Sequence, residues 1–268
     1  SDITEIKENQ RQLEHLAYHD SLTQLPNRSL LADRMQMALA QAKRNNTLAA
    51  VAYLDLDGFK PVNDRLGHDT GDRLLIEIAR RLQASTRTGD TVARLGGDEF
   101  VLIYNGLEHT DECEQVFKRL LATIAEPIVI DGHELRVTAS IGVTLCPLDG
   151  SDPDTLLRHA DQAMYLAKQG GRNGYHLFNP ERDRQLRAHR DAQIRVESAL
   201  WAGELELHYQ PKIDALTDAL IGVEALIRWK HPELGLRLPG EFLPAVSESS
   251  FEIELGNWVL ATAAAQLD

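Results

Sequence analysis

Residues 48 to 56 read Leu-Ala-Ala-Val-Ala-Tyr-Leu-Asp-Leu, and no other stretch limits the possible folds as much. A nearly unbroken apolar run of strand length fits a strand covered on both faces. Helices must then lie on two sides of the sheet that holds it. The run ends in Asp55 and Asp57. Acids at the C-terminal end of such a strand stand where α/β sheets tend to bind ligands.

Turn signals and periodicity arrange the other elements around this strand. Asn27 is an N-cap candidate for a helix reaching about Arg44. A strong helix is expected from about Asp69 to Gln83, with Leu74, Leu75, Ile78, Ala79 and Leu82 on its apolar side. Asp111 to Ala125 and Asp154 to Gln169 read as helices, the latter closed by Gly170-Gly171. Strands are expected at Pro127 to Ile130, Leu135 to Leu145 and Tyr175 to Phe178. This alternation predicts an α/β (α+β) sandwich, with helices flanking a mainly antiparallel central sheet.

Arg94 to Phe100 reads Arg-Leu-Gly-Gly-Asp-Glu-Phe, with two glycines between strand-like runs, so a tight hairpin is predicted there. Taken alone, Asp98 and Glu99 fit an ordinary exposed turn. Acids at a rigid tip nonetheless repel one another unless a cation sits between them. If the buried strand lies beside the hairpin, Asp55 and Asp98 face each other and can hold Mg²⁺ through oxygen ligands. Asn63, Asp64 and Asp72 flank a Gly67-His68 turn, and Asn with Asp can both donate to and accept from a purine edge. Lys60, Lys168 and Arg172 supply cations, the last two being four apart and hence on one helical face. The bland alternatives are solvated strand ends, helix caps and a dipole-favoured helix C-terminus. Arg87 and Asp90 alone read as a surface ion pair. Jointly these groups point to one site for a Mg²⁺-bound nucleoside triphosphate. It is not a P-loop, because no Gly-x-x-x-x-Gly-Lys-Ser/Thr segment is present.

Composition excludes other classes. A net charge of −13 argues against broad nucleic-acid binding. No run of 18 or more apolar residues reads as a transmembrane helix, and no membrane contact is expected. The N-terminus lacks the apolar segment of a signal peptide. Cys113 and Cys146 are too few for a disulfide framework or zinc site and read as reduced core residues of a cytoplasmic protein. His68 and His159 lack the spaced partners of a transition-metal site.

The order and spacing of several segments resemble the GGDEF family of diguanylate cyclases. They are Asp20-Ser-Leu-Thr-Gln-Leu-Pro-Asn-Arg28, Asp55-Leu-Asp-Gly-Phe-Lys-Pro-Val-Asn-Asp64, Gly67-His68, Gly71-Asp72, Arg94 to Phe100, and Asp161-Gln-Ala-Met-Tyr-Leu-Ala-Lys168 with Gly171-Arg172-Asn173. The resemblance implies a palm-like fold of the nucleotide-cyclase type. It also implies condensation of two GTP into cyclic di-GMP with release of pyrophosphate, each GTP held by one half of a homodimer. Asp55, the Leu56 carbonyl and Asp98 would bind Mg²⁺ (or Mn²⁺). Glu99 would be the general base or a further metal contact, its role not divided from that of Asp98. Phe59, Lys60, Asn63, His68, Asp72, Gly96, Gly97, Lys168 and Arg172 would surround GTP, with Asn63 and Asp72 reading guanine and Lys60 also serving catalysis. Arg87 and Asp90 have the placement of the family's RxxD site, where cyclic di-GMP inhibits.

Residues 1–17 read as a linker helix, and the opening Asp2-Ile3-Thr4-Glu5 resembles the exit sequence of PAS sensor domains. The cyclase-like domain is expected over 18–180, with any membrane anchor of the full-length protein expected upstream. From 181 to 268 a charged linker helix leads to Gln210-Pro-Lys, Glu224-Ala-Leu-Ile-Arg-Trp229 and Pro239-Gly-Glu-Phe. These resemble the start of an EAL phosphodiesterase domain, a TIM-type barrel, of which Glu224 (metal) and Arg228 (phosphate) are expected remnants. A barrel needs far more chain than this, so no hydrolysis of cyclic di-GMP is expected from these residues. The alternative to a cyclase is a catalytically silent module that senses GTP or cyclic di-GMP and regulates the adjacent EAL domain.

Overall fold

A computed structural model describes residues 15–247 and 249–266. The linker helix expected over 1–17 therefore lies almost wholly outside the described residues. The chain divides into two units, Ser1–Asn179 and Pro180–Asp268.

In chain order the first unit contains α1 (Arg28–Asn45), β1 (Leu48–Asp57), α2 (Phe59–Leu66), α3 (His68–Ala84), β2 (Thr91–Gly96) and β3 (Glu99–Leu107). It continues with α4 (Asp111–Ala125), β4 (Ile128–Ile130), β5 (His133–Leu135), β6 (Thr138–Cys146), α5 (Pro153–Gln169) and β7 (Gly174–Leu177). The main sheet has the order β2-β3-β1-β6-β7. Only β6 and β7 run parallel; the other neighbours are antiparallel. The apolar run is thus the middle strand, and its period of two assigns the layers. Ala50, Ala52, Leu54 and Leu56 join a cluster with Leu74, Ile78 and Leu82 of α3 and Phe117, Leu120 and Ile124 of α4. Ala49 and Val51 face the other way, onto Leu31, Met35 and Leu39 of α1 and Leu156 of α5. Tyr53, Asp55 and Asp57 follow on that second side, so the strand that builds the core also aims its acids at α5.

Close approach of α5 depends on small residues. On β6, Ala139, Ile141, Val143 and Leu145 enter the first cluster, leaving Thr138, Ser140, Gly142 and Thr144 toward α5. A Cβ on Gly142 would lie 1.9 Å from the Ala160 carbonyl oxygen and 2.0 Å from the Met164 nitrogen. Only glycine admits the helix at this distance, and the helix brings Lys168 to the end of β1.

Two expectations change. Residues 59 to 66 form a helix, α2, that pattern reading left undefined; Pro61 in its first turn lacks only an N–H that needs no partner there. The strand expected over Leu135 to Leu145 is broken after Leu135. Its first part pairs with β4 as a hairpin around Asp131 and Gly132, both at positive φ (50° and 79°). That Asp-Gly pair is a type I′ turn signal that was present in the sequence. Asn27 caps α1 as expected, accepting from the Ser29 and Leu30 amides. Cys113 and Cys146 are buried free thiols.

The second unit contains α6 (Pro180–Trp201), β8 (Leu205–Ile213), β9 (Leu220–His231), β10 (Gly235–Arg237), a short α7 (Pro239–Phe242), a 3₁₀ turn (Leu243–Ala245) and α8 (Ser250–Ala265). Its sheet order is β10-β9-β8. Val196, Leu205, Ile227, Trp229, Phe242 and Phe251 are among its core residues. Among the described residues no helix is long and apolar enough to cross a membrane.

Candidate active site

The hairpin forms as predicted. β2 and β3 are joined by Gly97 and Asp98, with a bulge between Arg94 and Gly96. Gly96 and Gly97 have φ of 147° and 53°, and a Cβ on either would meet no protein atom within 4 Å. Backbone conformation, rather than crowding by the fold, is what requires glycine at Gly97.

Pairing of β1 with β3 and β6 sets Asp55 opposite both Glu99 and Ser140. The Leu56 amide donates to the Asp98 carbonyl at 3.3 Å. Lys168, at the end of α5, places Nζ 2.8 Å from Asp55 Oδ1. Burial pushes the Asp55 carboxyl above its ordinary range, and the charges of Asp98 and Glu99 add to this, while Lys168 acts against it. Tyr53, two residues before Asp55 on the same face, donates its hydroxyl to Glu99 Oε2 at 3.1 Å. Burial, then the Glu99 carboxylate, pushes the Tyr53 phenol upward, so it stays a donor at neutral pH.

Among the described residues, no three His, Cys, Asp or Glu side chains close around one metal position. The set implied by resemblance differs in kind: two carboxylates and a main-chain carbonyl, the hard oxygens that suit Mg²⁺. The repulsion felt by Asp55 from Asp98 and Glu99 is what a divalent cation would relieve. These residues fit such an ion.

Asn63 on α2 has a buried Oδ1 with no hydrogen-bond partner. Its close neighbour is Gly71 on α3, where a Cβ would stand 1.8 Å from that oxygen. A buried acceptor with no protein partner, packed against a glycine, is consistent with ligand reading. His68 and Asp72 are exposed on the opening turns of α3, and Lys60 is exposed on α2. Phe59 is 8% exposed and its side chain joins the core, because α2 must bury one face, which leaves its main chain for a ligand. The shared helical face of Lys168 and Arg172 is corrected. Helix α5 ends at Gln169, and Arg172 lies beyond it with φ of 62°. Its Nε approaches Asp57 Oδ1 at 3.9 Å, whereas Lys168 approaches Asp55.

Arg94 is the residue that pattern reading undervalued. Its side chain is only 9% exposed. Nε and Nη2 donate to the Gly97 carbonyl at 3.0 and 2.8 Å, and Nη1 to Asp20 Oδ1 at 2.8 Å. Asp20 also accepts from the Thr23 amide and hydroxyl at 2.8 and 2.6 Å. Burial pushes the Asp20 carboxyl up, but Thr23 and Arg94 outweigh it and hold it below its ordinary range. A guanidinium within a strand reading Val-Ala-Arg-Leu was the available signal, since a buried charge needs partners.

Arg87 and Asp90 lie at the far end of β2 from the glycines. The Asp90 side chain, 2% exposed, accepts from the Arg87 and Asn105 amides at 3.1 Å each. The Arg87 side chain stays exposed and donates to the Asn105 carbonyl at 2.5 Å. A cleft of about 530 Å³ adjoins them, lined also by Tyr104, Glu112 and Arg119. A larger cleft, about 1090 Å³, opens near Lys43, His109 and Pro147 and contains none of the clustered acids. On β9, Glu224 pairs with Lys212 at 3.3 Å, and Arg228 donates to the Ile227 carbonyl at 2.9 Å.

Fold and site define a mixed α/β domain, a central sheet flanked by helices with carboxylates gathered at the end of its middle strand, followed by part of a second domain. A family model described as diguanylate cyclase, GGDEF domain matches residues 17–174, and one described as EAL domain matches 193–268. The chain belongs to the GGDEF family and carries part of an EAL domain behind it. It is 46% identical, over 98% of its length, to 38% of the bifunctional diguanylate cyclase/cyclic di-GMP phosphodiesterase MucR of Pseudomonas aeruginosa. It is 37% identical, over 97% of its length, to 39% of the cyclic di-GMP phosphodiesterase PdeR of Escherichia coli. The chain thus spans about two fifths of either relative. The solved GGDEF domain of TpbB (YfiN) from Pseudomonas aeruginosa superposes with a TM-score of 0.60 at 39% identity, covering 63% of this chain and 99% of that one.

Proposed function

We propose that the first unit is an active diguanylate cyclase. The observation that carries this reading is the gathering of Asp55, Asp98 and Glu99 beside Lys168 at the end of β1. In each half-reaction the 3′-hydroxyl of one GTP attacks the α-phosphate of the other and pyrophosphate leaves. Asp55, Asp98 and the Leu56 carbonyl would hold Mg²⁺. When bound, the ion polarises the phosphate and activates the attacking hydroxyl. Glu99, oriented by the Tyr53 hydroxyl, takes the proton or adds a metal contact. Asn63 and Asp72 read guanine; Lys60, His68, Lys168 and Arg172 surround the nucleotide, with the cations offsetting charge on the transferring phosphate. Each site handles one GTP, so catalysis needs a homodimer. Cyclic di-GMP returning to Arg87 and Asp90 would inhibit.

The test is conversion of GTP to cyclic di-GMP with Mg²⁺ across a range of protein concentrations. The rate per chain is expected to rise with concentration, and Asp98→Ala to abolish turnover with the fold retained. Absence of product at any concentration would refute the reading. PdeR, named only as a phosphodiesterase, favours one alternative: a silent module that binds GTP or cyclic di-GMP and regulates an EAL domain. Tight GTP binding without turnover would support that alternative.

A further inference from the structure

Asp57 shares a face of β1 with Asp55, yet its surroundings are different. Its side chain is 6% exposed. Oδ1 accepts from the Ser140 hydroxyl at 2.8 Å; Oδ2 accepts from the Thr138 hydroxyl at 2.9 Å and from the Asn173 amide at 3.1 Å. The Arg172 Nε lies 3.9 Å from Oδ1. A carboxylate offers about four acceptor positions, and these three hydrogen bonds fill all but one, with the Arg172 charge nearby. Asp57 is therefore committed to holding protein, whereas Asp55 faces other acids.

What it holds is the turn between α5 and β7. The Arg172 amide donates to the Ala167 carbonyl at 3.2 Å, which ties one side of the turn to the helix end. The other side is tied by Asn173 to Asp57. Arg172 and Asn173 are consecutive non-glycine residues at φ of 62° and 46°. Left-handed backbone is disfavoured for Arg172, though tolerated by Asn173, so the consecutive pair persists where the surroundings enforce it.

We propose that Asp57 is a positioning residue: it clamps the Arg172–Asn173 turn in its left-handed form and so presents the Arg172 guanidinium to the nucleotide phosphates. The inference rests on the cyclase reading for the identity of the ligand, but the clamp itself does not. In Asp57→Asn the amide nitrogen replaces one acceptor oxygen at nearly constant volume. Expected are a roughly tenfold higher KM for GTP, little change in kcat, and an unchanged Mg²⁺ concentration for half-maximal rate. Arg172→Ala should behave alike, and the double variant should be no worse than Arg172→Ala alone. A shifted Mg²⁺ requirement in Asp57→Asn, or fully multiplicative effects in the double variant, would overturn the proposal.

Hydrogen exchange supplies a readout independent of turnover. In Asp57→Asn, amides of residues 171–174 should exchange at least tenfold faster while those within α5 keep their protection; unchanged exchange at the turn would overturn the clamp. Should Asp57→Asn fail to fold, Ser140→Ala removes one donor and should move KM and turn exchange in the same direction by a smaller factor. No movement in that variant would count against the proposal. If the wild-type chain makes no cyclic di-GMP, the cyclase reading fails; the clamp is then decided by this exchange and by weaker binding of a non-hydrolysable GTP analogue to the variant.

Discussion

Arg94→Met removes a buried guanidinium while keeping most of its apolar stem. The Gly97 carbonyl loses two donors, and Asp20 loses its cation. Breaking a buried pair by deleting one partner costs about 3–5 kcal/mol. Asp20 keeps both Thr23 donors, so the lower end applies, about 3 kcal/mol. At roughly 2–4 °C per kcal/mol, the midpoint should fall by about 6–12 °C at pH 7 in a circular-dichroism melt. Acid titration adds a second signature. The Asp20 carboxyl is held below its ordinary range in the folded protein. Its stabilisation is therefore present above the unfolded carboxylate pKa of about 3.9 and lost as pH falls through the folded value. The wild type should lose this contribution below about pH 4, and Arg94→Met, having less to lose, should decline less steeply there. Faster hydrogen exchange at residues 20–28 and 94–100 should accompany the change. A melting point within about 1 °C of wild type at pH 7, against the shift expected above, would refute the claim that this strut holds the loop to the hairpin.

Further outcomes follow from single close contacts. Gly142→Ala sets a methyl 1.9 Å from the Ala160 carbonyl oxygen and 2.0 Å from the Met164 nitrogen. Helix α5 must lift, so stability should drop by about 3 kcal/mol, the upper end of ordinary overpacking, as measured by urea unfolding. Gly71→Ala displaces the Asn63 side chain, whose Oδ1 lies where the new Cβ would stand; KM for GTP should rise about tenfold while the far-ultraviolet spectrum is retained. Arg87→Ala should raise the cyclic di-GMP concentration that halves the initial rate about tenfold or more, by loss of a charge-assisted phosphate contact. Its uninhibited rate should stay the same, because Arg87 lies at the other end of β2 from Asp98.

The middle strand, the longer helices and the hairpin were legible in the sequence because each follows from a local rule. Period two against period 3.6 separates strand from helix, Asn27 marks a helix start, and paired glycines mark a turn. The acids were legible as candidates for the same reason, since Asp55, Asp98 and Glu99 close or open apolar strands. Spacing along the chain did not reveal which partner each would meet. Asp55 and Asp57 are alike in sequence, but one faces carboxylates and Lys168 while the other is enclosed by Thr138, Ser140 and Asn173. Sequence spacing also did not show that Phe59 packs its side chain into the core, because α2 must bury a face, and leaves its main chain toward the site.

The sequence by itself determined an α/β sandwich of this family, the middle strand of its sheet, and a pool of acids, amides and cations suited to a nucleotide. Only the tertiary structure decided their division of labour. Strand register, set by pairing across β3, β1 and β6, and the approach of α5 over Gly142 bring together groups far apart in the chain. Local propensity has no access to such contacts, because they arise only when separate elements share one core.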